Sequence, residues 1–438
     1  MLERYRHSVE EFFGSTLGLR WPSRGFVTDA GLALVAGLVA AGFAVWLFFR
    51  LDFEVLCRNL DVWLDSDPGR VVAALSSRFD QAHHRTNLHP LWSIGVTTPF
   101  LALTKLGIMD MKAMVTTYVA LSAASFGASI YIVLRLMRVQ RIDSFLALGL
   151  CLSTSSAWLW FGIPELFLLG GVSFMVPLIW LATPRGQHDA WSGPLQSAVS
   201  LAITITNWVA GLFAALLALG LRRGALTALI AFAMTGFLAM LQYRFFPQSG
   251  AFFNVWTESW VDYGTQGTFL QHVQAFWLTT IAAPMPDMVT VGPGFVFEFG
   301  DRLSRLQFVA PSTSPIALAT ICAWGILAAR GLWVAARGAV QPKVALFVLT
   351  MIAFNFILHA VYGIETFLYS LHYLPFFTFI AGWGLLADYG RPAMRALVVV
   401  GIFLGSINNM SVFESMMNWH NAIPPETVAD WRSVKSCK

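Results

Sequence analysis

Between Leu60 and Trp92, three acids lie close together (Asp61, Asp65, Asp67), followed by three arginines (Arg70, Arg78, Arg85) and three histidines (His83, His84, His89). Residues of these types do acid–base work and hold phosphate. Asp65 and Asp67 are two apart, so on an extended segment both side chains share a face. Pro68–Gly69 then bends the chain, and Arg70–Phe79 reads as a short amphipathic helix with Val71, Leu75 and Phe79 at helical spacing. Two readings of Asp67 stay open. It can be the N-cap of that helix, as Asp before Pro often is. Alternatively, one of the two aspartates is a general base, because a carboxylate beside low-dielectric lipid has a raised pKa, closer to what a base requires.

The cationic and hydrogen-bonding run His83-His84-Arg85…His89-Pro90 suits a phosphate. A metal held by His83, His84 and Asp80 ranks lower, since adjacent histidines seldom bind one ion tetrahedrally and no cysteine joins them. Further along, Glu165 follows Pro164 between two apolar runs and reads either as a cap or as a site carboxylate. Glu365 precedes Tyr369, His372 and Tyr373, which lie at i, i+3 and i+4 on one helix face. A histidine within a membrane helix is functional by default. His359, one helix earlier, either shares that cavity or is simply packed. Asn207, in the middle of an apolar run, gives a similar but weaker signal.

The elements that must position these residues are membrane helices. Of the residues, 57% are hydrophobic and 12% charged, and 17 Trp and 36 Phe add an aromatic load suited to lipid interfaces. A net charge of +4 gives no argument for nucleic acid. No cleavable leader is expected, because the first apolar run begins only at Gly31. The four cysteines have no metal-like spacing. Cys151 and Cys322 sit in apolar runs and read as packing residues, and a pairing of Cys57 with Cys437 on the outer face ranks low.

Placing every short Arg/Lys loop on one side requires two adjustments. Leu88–Ile108, which contains Pro90 and Pro99, becomes an embedded segment that does not cross. Leu195–Leu221 becomes two short helices hinged near Asn207–Trp208. The expected fold is then an all-α polytopic membrane protein with about eleven transmembrane helices and juxtamembrane helices in the first outer loop. The N-terminus is cytoplasmic. The chain forms a single transmembrane domain over residues 1–438, with an outer catalytic loop at 50–92, a second long outer loop at 243–312 and a short outer tail at 414–438.

In order along the chain come a first span, an outer-loop acid in Asp65-Ser66-Asp67-Pro68-Gly69-Arg70, then His89-Pro90-Leu91-Trp92, a hinged helix pair, and a late His372-Tyr373-Leu374-Pro375. This pattern resembles the GT-C superfamily of polytopic glycosyltransferases. The resemblance implies a polyprenyl-phosphate-linked sugar donor, inverting transfer and an outer-loop aspartate as base; no cofactor is expected, and with a phosphate monoester leaving group and cationic side chains present a divalent metal is not required. Carried over, Asp67 is the first choice for the base, supported by Asp67…Arg70, and Asp65 the second. Arg85, His84 and His372 would hold the phosphate, and Glu165 and Glu365 would orient sugar hydroxyls or these cations. Arg70, His83, His89, Asn207, Tyr369 and Tyr373 complete the expected binding set. Because the chain lacks the large soluble C-terminal domain of bigger members, a lipid-linked or small glycan acceptor is favoured over a polypeptide. The expected location is the bacterial inner membrane with an outward-facing site. The main alternative is a transporter or flippase for a lipid-linked or anionic substrate; a structural envelope subunit and a polymerase or ligase using a diphosphate-linked donor rank lower.

Overall fold

The computed structural model describes residues 24–58, 63–64, 66–184, 190–254, 268–284, 314–362, 366–387 and 389–423. Among them every regular element is helical. Six helices are long and apolar enough to cross a membrane: α1 (Arg24–Arg50, apolar from Val27), α5 (Met111–Leu136), α11 (Leu221–Phe245), α13 (Pro315–Ala336), α14 (Pro342–Tyr362) and α16 (Arg391–Asn421).

The expectation was about eleven spans, and the other apolar runs are helical but shorter. Ser144–Phe161 divides into α6 (Arg141–Leu152) and α7 (Ser155–Trp160), because Thr154 accepts a hydrogen bond from the Ala157 N–H and starts a new helix. Leu195–Leu221 divides into α9 (Ser192–Ile203) and α10 (Trp208–Leu219), broken at Thr204–Asn207 close to the expected hinge. α8 covers Phe167–Ala182 and α15 covers Ser370–Trp383. At about 1.5 Å per residue, helices of 12 to 16 residues fall short of a hydrocarbon core of roughly 30 Å.

α1 and α5 pack side by side through small residues. A Cβ at Gly127 would lie 2.6 Å from the Ala40 methyl and 2.9 Å from the Ala36 carbonyl oxygen, so only glycine permits this approach. The basic loops meet at one end of the bundle. Asp29 near the start of α1 pairs with Arg135 (3.2 Å) and Arg141 (2.7 Å), while Arg395 of α16 pairs with the fully buried Asp143 at 2.6 Å. Arg330 donates to the Gly384 carbonyl, and Lys343 reaches the Leu217 carbonyl.

The opposite end holds the segment singled out in the sequence. α2 (Phe53–Arg58) and α3 (Pro68–Ser76) are short helices, followed by a 3-10 turn at Gln81–Asn87, a π turn at Ser93–Thr97 and α4 (Thr98–Lys105). Leu88–Ile108 is therefore not one continuous span. Its irregular backbone is paired from outside: Leu91 N–H donates to the Ala202 carbonyl, Ile205 N–H donates to the Leu88 carbonyl, and the buried Gln242 of α11 bridges Pro90 O and Ile94 N–H at 2.8 and 2.9 Å. Unpaired backbone groups in such surroundings are costly, so these bonds set where the segment can rest.

The last helix closes this end. Trp63 Nε1–H donates to the Leu159 carbonyl, and its ring meets Phe413 and His420 edge-on. Asn421 accepts from the Asp52 N–H and donates to the Arg50 carbonyl. Asn409, buried in mid-helix, donates to Ser153 O and Ile281 O and accepts from the Ala283 N–H. In the second long loop, Phe269–Val273 (α12) and a π turn over Gln274–Thr279 form a short helical segment. Cys57 is disulfide-bonded; Cys437 lies outside the described residues. Cys151 and Cys322 are free.

Candidate functional site

A cavity of about 360 Å³ opens at the end of the bundle away from the basic loops. Its walls come from stretches far apart in sequence: Ser66–Ala74, Ala82–Trp92, Glu165–Phe167, Thr204–Thr206, Leu358–Val361 and Leu368–His372. Each stretch lies where a helix begins, ends or breaks. The chain leaves regular structure there because Pro68, Pro164 and the Thr204-Ile205-Thr206-Asn207 run interrupt apolar helix.

Asp67 occupies the N-cap position of α3, as one reading anticipated, yet its side chain makes no capping bond. Instead Oδ2 pairs with Arg70 at 2.7 Å, and Oδ1 is buried without a hydrogen-bond partner among the described residues. A capping aspartate spends its oxygens on the helix N–H groups, whereas this one is left facing the cavity. Its backbone N–H donates to Glu165 Oε1 at 2.7 Å. Burial raises the Asp67 carboxyl above the ordinary range, and Arg70, Arg85 and His84 counter this in part.

Glu165 lies in the turn before α8. Its second oxygen accepts from the Leu166 N–H at 3.2 Å, and its own carbonyl accepts from the Tyr118 hydroxyl at 2.8 Å. Burial pushes its carboxyl up to about 7; the Asp67 charge adds to the rise and Arg70 opposes it. Burial thus raises both carboxyls, and the two are joined through the bond from the Asp67 N–H to Glu165.

Facing cations come from two turns. Arg70 lies on the first turn of α3 and Arg85 on the 3-10 turn, and both line the cavity. His89 lines it as well, with Nδ1 set by the Ile203 carbonyl (2.9 Å) and Thr204 Oγ1 (3.1 Å). The last wall is aromatic. His359 stacks on Tyr369 with centroids 4.9 Å apart and planes at 10°, and His372 follows at 5.6 Å from Tyr369. His372 fits only because residue 170 is glycine: a Cβ there would fall 2.0 Å from Nε2. Both ring nitrogens of His359 are buried with no hydrogen-bond partner among the described residues, an arrangement that costs roughly 1–3 kcal/mol per group while nothing pairs them.

Several expected site residues sit elsewhere. His83 is fully buried behind the wall, held by Ser93 Oγ at 2.7 Å and the Ser77 carbonyl at 2.8 Å; burial lowers its pKa, with the Ser77 bond and Asp80 opposing. His84 turns outward onto the Gln81 carbonyl. Asn207 is buried and ties α10 to α8 through Gly170 O (3.2 Å) and Ser173 Oγ (2.8 Å), so it fixes the helix that seats His372. The Tyr373 hydroxyl points away, to Thr366 O and Thr280 Oγ1. None of these four lines the cavity. Asp65 and Glu365 lie outside the described residues.

The cavity also gains Ser66, Trp92, Thr204 and Thr206, which the sequence reading did not select. The two threonines had a signal, since they flank the polar break at Asn207; Ser66 and Trp92 had none beyond adjacency to motif residues. Among the described residues, no three His, Cys, Asp or Glu side chains gather as a metal cluster; Asp80, for one, caps the Ala82 N–H instead of joining His83. The chain matches no protein-family model, no curated protein and no solved structure.

Proposed function

We propose that this chain is a membrane glycosyltransferase that moves a sugar from a polyprenyl-phosphate donor to a lipid-linked or small glycan acceptor, with Asp67 as general base. The observation that carries the reading is the cavity's composition: a carboxylate pair and two arginines share one apolar-walled space at the bundle end. The basic loops lie at the other end, and the positive-inside rule then supports an outward-facing site in a bacterial inner membrane. The GT-C resemblance supplies the reaction class.

In physical terms, the acceptor hydroxyl oxygen attacks the anomeric carbon as the bond from that carbon to the phosphate oxygen breaks. Inversion follows from attack opposite the leaving group. The hydroxyl proton passes to Asp67, and the bonding electrons leave with polyprenyl phosphate, whose charge Arg70 and Arg85 stabilise. Glu165 holds the Asp67 backbone. A transport site is usually built near mid-membrane between structural repeats; these walls belong to helix ends and turns, which favours the enzyme.

The test uses purified protein in lipid nanodiscs with polyprenyl-phosphate-linked hexoses and pentoses, reading polyprenyl phosphate release by mass spectrometry. Asp67→Asn should lose roughly 10²–10⁴-fold of the transfer rate with an unchanged melting temperature. Wild-type rates in both Asp67→Asn and Asp65→Asn would remove the base assignment.

A further inference from the structure

We propose that the cavity is divided by chemistry. The wall of His359, Tyr369 and His372 receives the neutral sugar ring, and the side carrying Arg70 and Arg85 receives the phosphate. The inference rests on reading this cavity as a glycosyl-transfer site. It also reassigns His372, which the resemblance placed against the phosphate.

Three observations point this way. First, the three rings form a compact triangular cluster on one wall: His359 to Tyr369 at 4.9 Å, Tyr369 to His372 at 5.6 Å, and His359 to His372 at 6.3 Å. Flat aromatic faces suit the C–H face of a pyranose or furanose and offer little to a hydrated anion. Second, among the described residues this wall carries no Lys or Arg: its lining residues are Leu358, His359, Val361, Leu368, Tyr369 and His372. A phosphate is met by guanidinium forks, and those lie on the α3 side. Third, His359 is 3% exposed and both ring nitrogens are unpartnered among the described residues. A neutral imidazole offers one donor and one acceptor on opposite sides of the ring, which matches two sugar hydroxyls, one taking and one giving a hydrogen bond. The seat of His372 against Gly170, where no other side chain fits, fixes that ring of the cluster in place.

The experiment titrates the protein in nanodiscs, free of sugar detergents, with hexyl glycosides of glucose, galactose, mannose and arabinose and with hexyl phosphate. Calorimetry reads the dissociation constants. Wild type should bind at least one glycoside. His359→Phe and His372→Phe, which keep ring shape, should each weaken that glycoside by roughly 3- to 10-fold and leave hexyl phosphate unchanged. Arg85→Gln should do the reverse. Unchanged phosphate binding also reports that the histidine variants are folded.

Glycoside binding at the wild-type level in both histidine variants overturns the division, and so does a wild type that binds none of the four. The two readings fail separately. If wild type shows no sugar transfer but its glycoside binding depends on His359 and His372, the wall assignment stands and the transferase reading falls. If both histidine variants transfer sugar with wild-type KM, the transferase reading stands and the wall assignment falls.

Discussion

Replacing Glu165 with Gln separates its charge from its shape. The glutamate accepts the Asp67 N–H through Oε1 and is 9% exposed, so solvent screening is slight. Its carboxyl is raised from 4.5 to about 7 by burial, with Asp67 adding to the rise. For an acid with a raised native pKa, the native state holds the proton more tightly than the unfolded chain. Stability is therefore highest below 4.5, falls as pH rises toward 7 and levels off above it. The size of the rise corresponds to on the order of 3 kcal/mol lost across that window. Gln keeps an acceptor oxygen for the Asp67 N–H and has no proton to lose. Thermal unfolding in detergent from pH 4.5 to 8.5 should show wild-type stability falling with pH, and Glu165→Gln should flatten much of that slope and be the more stable protein at pH 8. The Asp67 carboxyl, also raised, keeps part of the slope in both proteins. Glu165→Ala, which leaves the Asp67 N–H without its acceptor, should lose roughly 1–3 kcal/mol relative to Gln at pH 8. Identical pH slopes in wild type and Glu165→Gln would refute the reasoning, because the proton would then not reside on this residue.

Three further outcomes follow from the packing. Gly170→Ala puts a methyl 2.0 Å from His372 Nε2 and must displace that ring; sugar transfer should fall at least tenfold in kcat/KM, while Gly42→Ala, which meets nothing within 4 Å, should be silent. Asn409→Ala strands Ser153 O, Ile281 O and the Ala283 N–H, and should lower stability by about 2–5 kcal/mol, read as a large drop in melting temperature. Gln242→Leu leaves Pro90 O and Ile94 N–H unpaired beneath the cavity and should destabilise by about 2–4 kcal/mol, whereas Gln242→Glu should recover the Ile94 bond alone.

The sequence showed the helical, membrane-embedded character and the meeting of the 60–92 segment with Glu165, Tyr369 and His372, since polar residues at apolar helix ends have few other places to go. The break beside Asn207 was also legible, because Thr204, Thr206 and Asn207 interrupt an otherwise continuous apolar run. What periodicity cannot supply is direction within an irregular turn. His83 and His84 are adjacent, yet one is locked inward by Ser93 and Ser77 and the other faces out onto Gln81. Asn207 looked like a ligand because an amide within lipid demands a partner; its partners proved to be Gly170 and Ser173 of the neighbouring helix. Apolar length likewise does not report where an apolar run is divided into shorter helices. Ser153-Thr154 and Thr204–Asn207 start and stop helices through local hydrogen bonds that hydropathy does not register.

The seat of Trp63 has a consequence for the order of assembly. Its indole lies against Phe413 and His420 of the last helix, and Asp67 stands four residues downstream. The loop that carries the proposed base is made early in synthesis, but its contacts with α16 form only when that helix arrives. A nascent chain can therefore tie this loop to Leu159 and Glu165 midway through synthesis, while the packing of Phe413 and His420 on Trp63 is added only with its final helix, which supports the pocket from outside without lining it.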